Sequence, residues 1–165
     1  MNSKTLYLTQ GAIIAALYVI LTLITNAAGL ANGVIQVRIS EALCVLPIFT
    51  PAAVPGLFVG CITSNIMTGC APWDIVFGSI ATLLGAYGTY FMRKHKLAAV
   101  IPPILANTLI IPWILHLVYQ FEGSILYFTA TVFAGEFISI AVLGTLLRIA
   151  LKKNSSAITW QHKTD

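Results

Sequence analysis

Four stretches of this chain, roughly residues 6–28, 74–92, 97–119 and 124–148, are apolar and carry no lysine or arginine except at an end. Crossing the roughly 30 Å hydrocarbon core of a bilayer takes about 20 helical residues, and each stretch supplies about that many. Charged residues make up 8% of the 165 positions and hydrophobic ones 58%. Ordinary soluble domains carry about 25% charge. Disorder is excluded by the same composition, because it requires low hydrophobicity and high charge. One chain of this length cannot shield so much apolar surface from water, so lipid must solvate part of it. The sequence therefore predicts an all-α membrane protein, a single transmembrane domain over residues 1–165 with a frayed cytoplasmic tail at 153–165.

Segment 41–68 is apolar but carries Pro47, Pro51 and Pro55 with Gly56 and Gly60. A single helix over it would run about 42 Å, too long for the bilayer and broken three times. Two short spans meeting at Thr50-Pro51-Ala52-Ala53 fit better. Irregular backbone inside a bilayer is tolerated only where protein or water covers it. The first apolar run, Gly11 to Thr25, followed by Asn26-Ala27-Ala28-Gly29, faintly resembles a cleaved signal. Its charged leader is one lysine, Lys4, and it reads as a retained helix.

Arg93, Lys94 and Lys96 form one cluster, and Arg148, Lys152, Lys153 and Lys163 follow the last span. The positive-inside rule makes both groups cytoplasmic. With six spans Lys4 joins them and only Arg38 lies outside, so eight of the nine basic residues are inside. A five-span arrangement exchanges Lys4 for Arg38 and scores the same. Segment length favours six. Glu41, Asp74 and Glu122 then lie near outer span ends, and Glu136 lies halfway along the last span.

Glu136 carries the sharpest signal. A carboxylate near the bilayer centre costs about 2.5–3.5 kcal/mol or more, so it marks a function or a proton-bearing bond to a neighbouring helix, with Asn107 as a candidate partner. Arg38 and Glu41 stand three apart and can pair across a helical turn, either as an interfacial bridge or as a ligand carboxylate held by its arginine. Asp74 follows Pro72-Trp73, suiting an N-cap as well as an outward-facing acceptor. Trp73, Trp113 and Tyr119 suit a stacking platform or an interfacial belt. Asn65 and Asn107 can donate and accept, which suits the edge of a heterocyclic base and equally the joining of helices. His116 has no second histidine nearby, and no metal site is expected.

Ala12 and Ala16, flanked by Gly11 and Ala15, make a smooth strip on the first helix, where another helix can approach closely. Gly78, Ala81, Gly85 and Gly88 make a second strip, assigned to internal packing. Gly56–Gly60 matches GxxxG. Cys44, Cys61 and Cys70 show neither CxxC nor zinc spacing and read as free apolar thiols. No Walker GxxxxGK[ST], HExxH or GxSxG is present. Net charge of +4 is explained by position along the chain rather than by nucleic-acid binding.

The run Gln36-Val-Arg-Ile-Ser-Glu-Ala-Leu43, then Leu46-Pro47, Pro55-Gly56-Leu57-Phe58, Asn65 and Asp74-Ile-Val-Phe-Gly-Ser-Ile-Ala-Thr-Leu-Leu84, resembles the QueT family. Its members are substrate-binding S-components of energy-coupling factor (ECF) transporters. The resemblance is most specific over 36–84; beyond 93 it rests mainly on hydropathy. It implies a compact bundle of six transmembrane helices, the second and third short and proline-broken, with both termini cytoplasmic. It implies a queuosine precursor, a 7-deazaguanine base, as ligand, with no cofactor and no catalysis by the chain itself. It also implies docking on a transmembrane coupling protein with two cytoplasmic ATPases, for which Ala12-Ile-Ile-Ala-Ala16 fits the family's AxxxA spacing. The residues are compatible with such a ligand: Glu41, Asp74 and Glu136 accept, Gln36, Arg38, Asn65 and Asn107 donate, and Trp73 and Trp113 stack. Two rival readings are an S-component for another vitamin, such as a flavin or thiamine, and a small intramembrane enzyme or proton-conducting protein using Glu136, Asp74 and His116.

Overall fold

A computed structural model describes residues 2–30 and 36–153. Six helices follow one another: α1 Ser3–Ala27, α2 Ile39–Ile48, α3 Ala53–Met67, α4 Pro72–Phe91, α5 Ala98–Leu117 and α6 Ile125–Lys153. No strand occurs among the described residues. Residues 154–165, where the sequence predicts most of the frayed tail, lie outside them, as does Lys163.

The four apolar stretches appear as α1, α4, α5 and α6, with boundaries within a few residues of expectation. Segment 41–68 divides where the prolines require it. Pro51 occupies the turn, Pro47 sits inside α2, and Pro55 falls in the first turn of α3, where its missing N–H costs little. Pro72 opens α4 in the same way. α1, α5 and α6 are long and apolar enough to cross a membrane. α4 has 20 residues but carries Asp74, and α2 and α3 are shorter apolar helices.

Glycine ends α1 and α3 by the same device. Gly29 and Gly69 both take φ +72°, a conformation that a side chain would strain. At α3 the Gly69 N–H bonds Ile66 O at 3.1 Å and the Cys70 N–H bonds Asn65 O at 3.0 Å. The pair forms a Schellman motif that satisfies the last carbonyls.

α2 is the centre of the bundle. It is a ten-residue 3₁₀ helix, and Ser40 through Pro47 are all buried. Such runs seldom exceed three or four residues, because the hydrogen bonds are poorer. α1, α4 and the middle of α6 enclose it. That middle portion, Phe137–Gly144, is wound as a π-helix between two α-helical ends. The core thus joins Ile14 and Tyr18 of α1, Leu43, Cys44 and Leu46 of α2, Ala53, Leu57 and Cys61 of α3, and Ala86 of α4. A second cluster, Ile111, Ile114, Leu115, Phe128 and Val132, ties α5 to α6.

Small residues set the helix distances. A Cβ on Gly56 would lie 2.7 Å from Gly11 O, and one on Gly60 would lie 3.0 Å from Ala15 O. The GxxxG of α3 therefore packs on α1, and it uses the Gly11–Ala15 side. Ala12 and Ala16 lie on the opposite, exposed side. Gly85 and Gly88 of α4 receive Pro103 and Pro102, as the internal-packing assignment requires. Gly135 and Gly144 bring α6 against the backbones of Gln36 and Ala42.

The chain alternates direction, so the two ends of the bundle differ. Tyr7 Oη bonds Pro51 O at 3.5 Å, and Arg148 donates to Lys96 O at 2.8 Å. The start of α1, the α2–α3 turn, the α4–α5 connection and the end of α6 make one end, rich in lysine and arginine. Arg38, Asp74 and Glu122 belong to the other. Gly56→Val should separate α1 from α3 and cost about 1–3 kcal/mol, read as a lower melting temperature in detergent. Val59→Ala on the exposed side of the same helix should change stability by less than about 0.5 kcal/mol.

Candidate functional site

A cavity of about 250 Å³ opens at the end of the bundle away from the basic residues. Four helix termini and one extended segment frame it. The last turns of α1 supply Thr22, Thr25 and Asn26, and the chain entering α2 supplies Gln36 and Arg38. The end of α3 and its glycine turn bring Asn65, Thr68 and Cys70. The first turn of α4 brings Asp74, and α5 with the chain beyond it brings Ile111, Ile114, Leu115, Tyr119 and Phe121. The wall is apolar on the α5 side and polar elsewhere, the usual division of a small-ligand pocket.

Asp74 is the acid that reaches this cavity. It is not the helix cap, since α4 begins at Pro72 with Ala71 as its N-cap. It stands third in the helix, 4% exposed, where the orphan N–H groups of the first turn favour its negative charge. Tyr119 Oη donates to Asp74 Oδ2 at 2.9 Å and accepts from the Ala71 N–H at 3.1 Å. The tyrosine thereby bridges the end of α5 to the start of α4. Asp74 Oδ1 is buried and has no protein partner.

Asn65 lies beside it on α3. Its amide nitrogen has one long contact, 3.7 Å to Cys61 Sγ. Arg38 comes from extended backbone, φ −103° and ψ 102°, ahead of α2. It lies within electrostatic reach of Asp74 and, on the other side, of Glu41. The segment holding Gln36 is pressed onto α6 at Gly135, where a Cβ would collide with Gln36 O.

Glu41 stands behind the wall rather than in it. It is 1% exposed and receives hydrogen bonds from Tyr18 Oη and, at 3.1 Å, from Cys44 Sγ. The Tyr18 bond ties α1 to α2 and the Cys44 bond lies within α2, in place of the pairing with Arg38 that the spacing suggested. Glu136 also lies deeper in the bundle, 7% exposed, at the junction where α6 changes to π winding. Asn107 lies beside it, as expected. Glu136 Oε2, Thr108 Oγ1 and Ser139 Oγ are buried without partners. All three acids thus face the bundle interior, but only Asp74 lines the cavity.

The tryptophans do not reach the site. Trp73 is 60% exposed and Trp113 52% exposed, both on the outer surface of the bundle. The outward side of each helix takes the ring because the inward positions are filled by Asp74 on α4 and by Ile111, Ile114 and Leu115 on α5. The aromatic pair at the cavity is instead Tyr119 with Phe121, centroids 5.7 Å apart and planes 17° apart. Gln120 between them takes φ +51°, turning the chain so that both rings face one way. Thr22, Thr25, Asn26 and Phe121 were not singled out in the sequence; polar residues closing an apolar helix are a signal for the first three, and none marks Phe121. Among the described residues no cluster of histidine, cysteine, aspartate and glutamate suits a metal.

A family model described as QueT transporter matches residues 8–153. A curated relative from Lactococcus lactis subsp. cremoris (strain MG1363), called queuosine precursor transporter QueT, is 36% identical over 84 residues. The match takes in 50% of this chain and 48% of that protein, so the chain spans about half the length of the relative it matches. No solved structure matches the chain. With a family match running from the first helix to the end of the last, the chain belongs to the QueT transporter family.

Proposed function

We propose that this chain is the substrate-capturing S-component of an ECF importer. It binds a queuosine precursor from outside the cell and passes it inward while partner chains hydrolyse ATP. The cavity is the observation that carries this reading. It joins an acid, an arginine and three amides to an apolar wall and an aromatic pair at one end of a lipid-compatible bundle. Its volume of about 250 Å³ suits a bare bicyclic base better than a flavin with its sugar-like chain, since drug-sized ligands occupy about 300–1,000 Å³. A nitrogen-rich ring offers N–H groups to Asp74 and accepts from Asn65, Gln36 and Arg38.

Orientation follows from charge. Lys4, Arg93, Lys94, Lys96, Arg148, Lys152 and Lys153 gather at the end opposite the cavity. The positive-inside rule puts that end, with both termini, in the cytoplasm and the cavity outside. All six helices then belong to the bilayer, the short α2 and α3 being sheltered by their neighbours. The chain brings no Walker motif, so hydrolysis belongs to two cytoplasmic ATPases joined through a transmembrane coupling protein. Ala12 and Ala16, exposed on α1, offer that protein a smooth surface for close helix contact.

A melting series on the purified chain with purine and 7-deazapurine bases tests the binding step, because only a ligand that prefers the folded state raises the melting temperature. 7-Deazaguanine bases should raise it; no shift with any of them rejects the reading. Glu136 lies deeper than the cavity and acts on the ligand through its electrostatic coupling to Arg38. Glu136→Gln should weaken binding at least tenfold, about 1.4 kcal/mol. Unchanged affinity in the folded variant would confine Glu136 to packing. Ala12→Leu and Ala16→Leu should leave binding intact and abolish uptake in cells that carry the energising partners. Uptake surviving both removes the docking role.

A further inference from the structure

The cavity holds one detail that narrows the ligand further. Asp74 Oδ1 and Asn65 Nδ2 converge over Gly78: a Cβ there would lie 3.2 Å from the first and 3.4 Å from the second. One atom is a charged acceptor and the other a donor. Each is on a side chain at least nine-tenths buried, and both side chains line the cavity. The other oxygen of Asp74 is already engaged. Tyr119 must point its proton at Oδ2, because its own lone pair receives the Ala71 N–H. A bidentate grip by this carboxylate, the arrangement a guanidinium or an edge of adjacent ring and exocyclic N–H groups prefers, would disturb that bridge. Oδ1 alone is left without a partner, and a buried acceptor in that state costs about 1–3 kcal/mol until something donates to it.

We propose that Asp74 Oδ1 and Asn65 Nδ2 together read a cyclic-amide edge of the ligand, the ring N–H on the aspartate and the adjacent carbonyl oxygen on the asparagine amide, and that Gly78 is the specificity-determining residue that leaves room for the pair. The inference rests on the import reading above and adds which edge of the base is gripped. Gly78 lies on α4 one turn beyond Asp74, so its bare Cα forms the floor beneath both groups. A methyl group in that position would push the acceptor and the donor apart. The glycine is thus needed for recognition as well as for the approach to Ile111, which a Cβ would touch at 3.9 Å.

Titration calorimetry on the purified full chain in detergent, with 7-deazaguanine and its N1-methyl derivative, tests this. Wild type should prefer the unmethylated base by about thirtyfold, the size of one hydrogen bond to a charged group. In Asp74→Asn and in Gly78→Ala that preference should fall to about threefold or less, a change in ratio that simple loss of packing would not produce. Gly78→Ala keeps both polar groups and carries the test if Asp74→Asn does not fold. Equal binding of the two bases by wild type, or an undiminished preference in the variants, overturns the edge assignment and leaves the import reading standing. Failure of wild type to bind either base overturns both.

Discussion

The bundle depends on keeping an irregular helix away from lipid. Backbone groups in a bilayer must find partners within the protein, and a 3₁₀ helix meets this demand less well than an α-helix. α2 is ten residues of such winding with every residue from Ser40 to Pro47 buried. It survives because α1, α4 and α6 surround it at the short distances that glycine allows. Gly144 lets α6 touch the backbone of Ala42, and Gly135 lets it touch that of Gln36. The second contact reaches the site directly, since Gln36 and Arg38 line the cavity just ahead of α2.

The same constraint governs the polar groups. Where solvent is absent, each carboxylate takes the partners its helix brings. Glu41 meets Tyr18 across the α1–α2 contact and Cys44 within α2, and is used up in holding those helices. Asp74 lines the cavity, meets Tyr119 with one oxygen and keeps the other free of any protein partner. Two acids of equal apparent promise in the sequence thus serve different ends, and the difference lies in what stands opposite them.

Helices were legible from the sequence to within a few residues because uninterrupted apolar runs and prolines state them locally. The division of segment 41–68 at Thr50–Ala53 follows from three prolines. The 3₁₀ winding of α2 and the π winding of α6 were not legible, because they answer to packing between segments nearly a hundred residues apart. The site was half legible. Gln36, Arg38, Asn65 and Asp74 meet at the cavity, but Trp73 and Trp113 turn outward and Glu41 and Glu136 lie deeper. Residue type signals that a group is costly to bury, and only the rotation of each helix decides which way it faces. Phe121 had no signal, since an aromatic after an apolar helix is common at any membrane interface.

That rotation is where the wide turns of α6 have their effect. Its inward positions Val132, Glu136, Ile140 and Gly144 recur every fourth residue. On a pure α-helix each such step would slip by about 40°, and three of them would carry the later residues toward the far side. The looser winding of Phe137–Gly144 takes up this slip and acts as a phase corrector. It lets Gly135 face Gln36 near the cavity while Leu147 and Leu151 still close the core at the other end. The cavity and the basic end of the protein are therefore kept in angular register by eight residues, none of which lines the cavity.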